Sequence, residues 1–436
     1  MKLLRQVWEQ VRQDRLFSAI YIAGVALAIA TTMVFAIVYY VKLAPVYPEY
    51  NRANTYTAQY STYKQEANGI NNTAQYSFKA VKELFMPLQN AEAVSAEYYY
   101  PGDGFIQPAD GSSEFEVSVR TVDPNFFKIY EYDFTEGGPL SDADLASGMH
   151  NAVITAGLAS RIFETESGII GRTFSLDDTD WRICGVIKDP SALTHDAYGQ
   201  IFIPYTSISD YESYWALEYM GSYRVRILTS GSRQADAMKA EIADAVRRYN
   251  ASLAGTDLDG WEFSIGTQPY SFYEQVFNSV QDSDFNWKSI IRNYGIMLLV
   301  LLLVPALNLS GIIAGRMENR LPEIGVRQSF GATRGKLIRH ILAENLILTI
   351  AGGIFGLILA EISVLTCRDW IFTLFDDFPE VTTDTSANIL TPDMLFAPGI
   401  FIVALTVCLI LNILSALIPA WWSLRHPITE SLNQKK

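Results

Sequence analysis

The chain has 436 residues, 49% of them hydrophobic, and 47 acidic against 33 basic side chains leave a formal net charge of −14. Such an acidic balance excludes nucleic acid as a partner, because phosphate binding needs a basic surface. Three scattered cysteines, Cys184, Cys367 and Cys408, exclude a disulfide framework and CxxC metal spacing.

In chain order, Lys2 to Arg15 places Leu3, Leu4, Val7, Trp8 and Val11 on one face, so residues 1–16 read as an amphipathic helix lying along a membrane surface. Phe17 to Val41 carries no charge and exceeds the roughly 20 residues that cross a hydrocarbon core. It is too long for the apolar region of a signal peptide and reads as an uncleaved first span, 17–41. Roughly 250 residues follow, 43–293, enough for one large domain or two small ones. Within them, Ser77 to Met86 has helical spacing at Phe78, Val81, Leu84 and Phe85 and stops at Pro87, and Ala93 to Tyr100 is strand-like. Tyr223 to Leu228 predicts a strand, Arg233 to Tyr249 a helix with Ala235, Met238, Ile242 and Val246 on one face, and Glu262 to Thr267 another strand. These two ends form one α/β layer. Between them, at about 101–212, the short runs Glu116–Val122, Ala152–Thr155, Thr173–Leu176, Trp181–Ile187 and Ile201–Tyr205 make a mostly β insertion. Asp177-Asp178-Thr179-Asp180 lacks the ligand spacing of a calcium loop and reads as a hairpin turn.

Three more apolar runs follow: Tyr294–Gly315, a run centred on Asn345–Ala360 that is placed at 337–366, and Met394–Leu424, which ends in the interfacial pair Trp421-Trp422. A core helix could imitate one such run, hardly all four. The segments 1–16, 315–340 and 425–436 hold 13 basic against 5 acidic side chains, leaving 20 of the 33 basic and 42 of the 47 acidic side chains elsewhere. Lys and Arg are retained on the cytoplasmic side. The expected architecture is therefore an α-helical membrane protein with four transmembrane helices, 17–41, 294–315, 337–366 and 394–424, and a large α+β extracytoplasmic domain, 43–293. Residues 316–336 form a cytoplasmic loop, 367–393 a short outer loop and 425–436 a cytoplasmic tail, so both termini lie inside.

The cytoplasmic loop holds a short helix of its own. Pro322 suits a first helical position and Gly331 the position just past the end, giving a helix over about 322–330. Helices below roughly 12–15 residues are marginal in water, so this one needs a partner to pack against. No catalytic constellation accompanies it. His150, His195, His340 and His426 fall in separate regions without zinc-ligand spacing, and the sequons at Asn71 and Asn250 are short chance matches. Gly331-Ala332-Thr333-Arg334-Gly335-Lys336-Leu337 departs from a P-loop, which needs four residues between its glycines and a Ser or Thr after the Lys. The reading is a non-catalytic membrane subunit with no cofactor and no metal of its own.

Glu323-Ile324-Gly325-Val326-Arg327, then Gly331-Ala332-Thr333, then Ala343-Glu344-Asn345 entering a span with Gly352, Gly353 and Gly356, resembles the membrane core of the MacB/FtsX-type ABC transporter permeases. Ile418-Pro419-Ala420 followed by Pro427 is similar to that family's ending, so the FtsX-like core covers about 294–432. Val119-Arg120-Thr121-Val122-Asp123-Pro124-Asn125-Phe126-Phe127, Gly137-Gly138-Pro139-Leu140 and Gly185-Val186-Ile187-Lys188-Asp189 resemble its extracytoplasmic, MacB-like domain. The tail departs from the pattern, running Glu430-Ser431-Leu432-Asn433 where a basic residue is usual, and no ATPase precedes the first span.

The resemblance implies a stand-alone permease in the bacterial inner membrane, paired with a second copy or a homologue and served by a separate ABC-type ATPase that binds ATP and Mg. It also implies a porter-like α/β layer in the outer domain. The short helix would be the coupling helix: Ile324, Val326 and Phe330 would bury in a groove of the ATPase, and Glu323 and Arg327 would pair at its rim, with Gly325, Gly331 and Ala332 in the same segment. The alternative is a basic loop that only sets topology on the anionic inner leaflet. The N-terminal helix would seat the ATPase or merely anchor the chain. Gly352, Gly353 and Gly356 permit close helix packing, within one subunit or across the dimer. The implied work is mechanical export of a drug, peptide or lipid-linked substrate, with a periplasmic adaptor and outer-membrane channel as further partners. The other reading is a non-transport regulator of an envelope hydrolase or sensor kinase.

Overall fold

The structure, a computed structural model, describes residues 15–98, 103–108, 113–215, 217–277, 286–297 and 329–367, with scattered residues between 299 and 417. Lys42–Phe285 belong to one compact unit, and a second, helical unit draws on both ends of the chain. The helical unit opens with α1, Arg15–Leu43. Residues 1–14 lie outside the described residues, and with them the expected amphipathic helix.

In the outer unit the strands β1 (Thr55–Ala58), β2 (Ser61–Gln65), β3 (Ile70–Tyr76) and β4 (Ala93–Tyr98) come first. The short α2 (Phe78–Ala80) lies between β3 and β4, capped by the Ser77 hydroxyl and prolonged by a π turn over Val81–Phe85. The next strands are β5 (Asp103–Gln107), β6 (Phe115–Val122), β7 (Phe134–Gly137), β8 (Asn151–Thr155), β9 (Thr173–Leu176), β10 (Thr179–Ile187) and β11 (Ile201–Pro204). The last are β12 (Met220–Gly221), β13 (Tyr223–Leu228), β14 (Glu262–Ser264) and β15 (Tyr270–Ser271). All are linked by hydrogen bonds in the order β11-β8-β10-β9-β5-β6-β4-β13-β3-β2-β14, with β1, β7, β12 and β15 off this path.

The sheet carries two lobes. In the α/β lobe, β13 lies between β1 and β4 and pairs with β4 from Tyr223↔Tyr98 to Leu228↔Ala93. The helix expected downstream spans Ser232–Ser252 and buries Ala235, Met238 and Ile242, the last two in a core that includes Tyr76, Phe85, Tyr223 and Val225. In the β lobe, β8 pairs parallel with β10 and β11 parallel with β6. The insertion is less purely β than its sequence pattern suggests. It contains α3 (Phe126–Ile129), α4 (Asp142–Ser147) and α5 (Ala156–Phe163), pieces too short for a 3.6-residue period to register. In chain order the downstream helix is α6, followed by α7 (Phe272–Phe277). The acidic hairpin joins β9 to β10 with Asp177 and Asp178 both at positive φ, 47° and 60°. Gly137 and Gly185 face each other where β7 crosses β10, and a Cβ on either would strike the opposing backbone carbonyl.

The motif from Val119 to Phe127 joins the lobes. Tyr98 pairs with Thr121, the Asn125 amide donates to the Val94 carbonyl at 2.9 Å, and Asp123 accepts from the amides of Ala96 at 2.8 Å and Phe126 at 3.1 Å. Burial pushes the Asp123 carboxyl up to about 6 despite those amides, which favour its ionised form. An unfolded Asp titrates near 4, so this group's contribution to stability is complete below about pH 4 and is lost as the pH rises through 6. The stability of Asp123→Asn relative to wild type should therefore shift by about 1 kcal/mol in the variant's favour between pH 5 and pH 7.5. Denaturant titration of tryptophan fluorescence at the two pH values measures this, and a pH-independent difference would mean that Asp123 is ionised throughout.

Candidate coupling site and the path to the outer domain

Of the segment 316–336, expected in the cytoplasm, Val326 and the run from Ser329 onward are among the described residues, whereas Glu323, Ile324, Gly325 and Arg327 lie outside them. The Phe330 amide donates to the Val326 carbonyl at 3.2 Å and the Ser329 hydroxyl to the same oxygen at 2.8 Å, so this is a helical turn. Gly331 follows at φ +87°, a left-handed conformation that ends helices and favours glycine. Ala332 is half-buried, and Thr333 precedes a new helix, α8 (Arg334–Thr366). Val326 and Phe330, one turn apart, are 44% and 87% exposed. Two large apolar side chains on one exposed turn form a surface that a partner could cover.

Among the described residues, two helices are long and apolar enough to cross a membrane, Ser18–Leu43 and Gly335–Thr366. They pack against each other at backbone distance. A Cβ on Gly352 would come within 2.7 Å of Val25 Cγ1 and 3.1 Å of the Ile22 carbonyl, and one on Gly356 within 2.7 Å of the Ala26 carbonyl. Gly353 faces Leu405, of the fourth apolar run, and Ile29. One turn before these glycines, the Tyr21 and Thr349 hydroxyls lie 3.4 Å apart. Contacts advance in the same direction along both helices, so α1 and α8 run parallel. Glu344, Asn345 and Thr349 are buried near the start of α8. Residues 287–297 are helical, and Tyr294 meets Tyr39 of α1 edge-on at 5.8 Å. Most of the second and fourth runs lies outside the described residues.

Beyond α1 the chain enters the outer unit, and here the structure reveals a site with little sequence signal. Arg52 is buried. Its Nε donates to Glu49 Oε2 at 2.7 Å, its Nη1 donates to the Ala44 carbonyl at 2.5 Å, and its guanidinium lies 4.7 Å from the ring centre of Phe272. Phe272 opens α7, on the chain's way back out, and β15 just before it pairs with β1. The segment that follows α1 and the helix α7 thus meet in one place.

A loop between β10 and β11 closes the cluster. Asp196 accepts from Arg226 Nη2 at 2.6 Å, and Arg226 Nη1 donates to the Thr57 hydroxyl at 2.5 Å. Glu49 Oε1 accepts from the Ala197 amide at 3.1 Å. Arg120 pairs with Glu97 and donates to the carbonyls of Tyr198 at 2.7 Å and His195 at 2.5 Å. Burial alone would raise the Asp196 carboxyl, but Arg226, Arg224 and Arg120 outweigh it and hold the group below the usual carboxylate range. Glu49 goes the other way, raised by burial that Arg52 offsets only in part. The crevice lined by Glu49, Arg52, Tyr130, Asp196 and Phe272 has no space for a water molecule, so the site holds parts together and is no ligand pocket. Among the described residues no group of three or more His, Cys, Asp or Glu is placed to hold a metal ion. The one hint in the sequence is the alternation Arg224-Val225-Arg226-Ile227, which puts two cations on one face of a buried strand.

Residues 18–245 match the family profile of the MacB-like periplasmic core domain, and residues 295–428 match that of the FtsX-like permease C-terminal region. The first match covers more than half of the chain, which belongs to the MacB/FtsX-type ABC transporter permeases. Members of this family are inner-membrane permeases with a periplasmic domain; they dimerise and work with an ABC-type ATPase. A pyoverdine export ATP-binding/permease protein, PvdT, of Pseudomonas savastanoi pv. phaseolicola is 24% identical over 254 residues, 57% of this chain and 36% of its own length. A macrolide export ATP-binding/permease protein, MacB, of Agrobacterium fabrum is 24% identical over 316 residues, 70% of this chain and 41% of its own. The chain therefore spans about two fifths or less of the length of these relatives. Among solved structures, the extracellular domain of the ABC-type transporter YknZ aligns at a TM-score of 0.34 and 14% identity, over 48% of this chain and 99% of that one. The periplasmic region of MacB from Actinobacillus actinomycetemcomitans also aligns at 0.34 and 14%, over 52% and 94%. Likeness of this size leaves the assignment to the sequence matches.

The glycine contacts predict a graded response. Gly356→Ala meets a backbone carbonyl and should force α1 and α8 apart at a cost of about 1–3 kcal/mol, whereas Gly353→Ala meets chiefly the tip of the Leu405 side chain and should cost less than about 1 kcal/mol. Unfolding of the full chain in mixed detergent micelles measures both, and equal costs would place Gly356 away from α1.

Proposed function

We propose that this chain is the permease subunit of an ABC transporter in which a separate ATPase, carrying the ATP and Mg, moves the outer domain through the membrane helices. The observation that carries this reading is the exposed turn of Val326 and Phe330 closed by Gly331, in the segment that joins the second apolar run to α8. Glu323, Ile324, Gly325 and Arg327 complete the docking surface. Buried apolar anchors would supply affinity and the flanking charges orientation.

The proposed topology has four spans, 17–41, 294–315, 337–366 and 394–424, with both termini in the cytoplasm. Parallel packing of α1 and α8 supports it, since two parallel spans require the chain to recross the membrane between them. Force applied at Phe330 passes along α8, crosses to α1 at Gly352 and Gly356, and follows the chain into the segment that holds Glu49 and Arg52. Close-packed helices transmit such displacements by small shifts. The working unit is a dimer of permeases with two ATPases. The names of the relatives, which export pyoverdine or macrolides, favour export of a drug, peptide or lipid-linked compound, with a periplasmic adaptor and outer-membrane channel as its continuation.

The test is Val326→Asp combined with Phe330→Asp in the tagged full chain, purified from native membranes. Recovery of the ATPase should fall by about tenfold or more, since burying two carboxylates costs several kcal/mol. Undiminished recovery would rule out this turn as the docking site.

A further inference from the structure

We propose that the loop between β10 and β11, residues 188–200, is the joint that passes movement from the segment after α1 and from α7 into the β lobe, and that Asp196 is its positioning residue. Its use as a transmission element rests on the mechanical reading above; its role as a joint rests on the geometry of the outer unit.

Four separate parts of the chain hold this loop. The segment after α1 supplies Glu49 to the Ala197 amide, and the Tyr47 hydroxyl donates to the Lys188 carbonyl at 2.8 Å. The α/β lobe supplies Arg226 to Asp196. The β lobe supplies Arg120 to the carbonyls of His195 and Tyr198, and Tyr132 donates to that of Ala197. The segment leaving the outer unit supplies Gln275, whose Nε2 lies 3.5 Å from Asp196 Oδ1 and whose Oε1 lies 3.4 Å from Arg226 Nη1. Asp196 is the residue on which two of these converge, through Arg226 and Gln275. At its far end the loop runs into the middle of the β lobe: the Gln200 amide donates to the Ser118 carbonyl at 2.9 Å, the Thr155 amide donates to that of Gln200 at 3.0 Å, and β11 then pairs with both β6 and β8.

Among the described residues, β4 and β6 join the lobes through the pair Tyr98↔Thr121 and the bonds of Asp123 and Asn125 to β4, and the loop is a second connection beside these. The chemistry of the joint also fits positioning better than stability. A buried ion pair is often no more stabilising than apolar groups of the same shape, whereas its directional bonds define one arrangement. Here the arrangement keeps spare valences: among the described residues, Glu97 Oε2, Arg224 Nε, Arg226 Nε and the Tyr130 hydroxyl are buried without a hydrogen-bond partner. Glu97 pairs with Arg120 and also lies in the field of Arg224 and Arg226, so the two lobes' charges meet at this end of the loop.

Two variants of the full chain in detergent test the joint by amide hydrogen exchange: Asp196→Asn, and the milder Glu49→Gln, which keeps an acceptor for the Ala197 amide. Asp196→Asn should raise exchange by about tenfold or more in residues 44–52, 188–200 and 270–277 together, while β8, β10 and α6 stay within about twofold of wild type. Glu49→Gln should raise it in 44–52 and 188–200. A rise spread evenly over the outer unit, or confined to 188–200, would reduce Asp196 to an ordinary stabilising residue and overturn the proposal.

A second arm places spin labels on Ser160 of α5 and Lys82, one in each lobe, in the complex recovered with its ATPase. A non-hydrolysable ATP analogue should change their separation in wild type and leave it unchanged in Asp196→Asn, with ATPase turnover retained. An unaltered response in the variant would also overturn the joint. No response in wild type would count against the mechanical reading, and the joint would then be judged by the exchange data, which involve no ATPase.

Discussion

The buried pairing of Arg226 with Asp196 is the constraint around which the outer unit is organised. Arg226 sits in the middle of β13 with no exposed surface, and a guanidinium there is tolerable only if its charge and donors are met. Asp196 meets the charge, the Thr57 hydroxyl takes a second donor, and Gln275 lies beside both. Each partner belongs to a different part of the chain, so satisfying one cation brings the β10–β11 loop, β1 and α7 together. The Arg52–Glu49 pair extends the same logic by one residue: Glu49 also takes the Ala197 amide, and Arg52 covers the ring of Phe272.

The helical unit follows a different principle. In hydrocarbon there is no apolar driving force between helices, so close contact depends on small residues that let backbones approach. Gly352 and Gly356 do this for α1, leaving the opposite side of α8, with Ile354, Ile358 and Ile362, exposed in the isolated chain. Just before α8 the chain turns through Gly331, and Phe330 is exposed.

Much of this was legible beforehand, for identifiable reasons. Thr173–Leu176 and Tyr223–Leu228 match their expected strands residue for residue: burial alternates along the first, while the second is buried on both faces and shows through its short aromatic and β-branched run. The helix after β13 was visible through Ala235, Met238 and Ile242. By contrast, β1, β2 and β3 escaped notice: Ser61-Thr62-Tyr63-Lys64-Gln65 and Ile70-Asn71-Asn72-Thr73 are polar on both faces, and only pairing with neighbours makes them strands. The helices α3, α4 and α5 were missed because four to eight residues span barely one or two turns. α4 did carry a signal in its capping box of Ser141 and Asp144.

What the amino-acid sequence determined by itself is whatever depends on local composition: long uncharged runs that can enter a membrane, a helical turn ended by Gly331, and the ordered motifs that mark a MacB/FtsX-type permease. Such features need no knowledge of what lies across the fold. Only the tertiary structure decided that Gly352 and Gly356 face α1 within the same chain, and that Glu49, Arg52, Asp196 and Arg226 form one buried cluster. Arg226 and Thr57 are 169 positions apart, and a bond between them exists only because β1 and β13 are neighbours in the sheet. A charged residue looks like surface in sequence, and it becomes a joint when long-range packing removes the water and leaves another side chain to replace it.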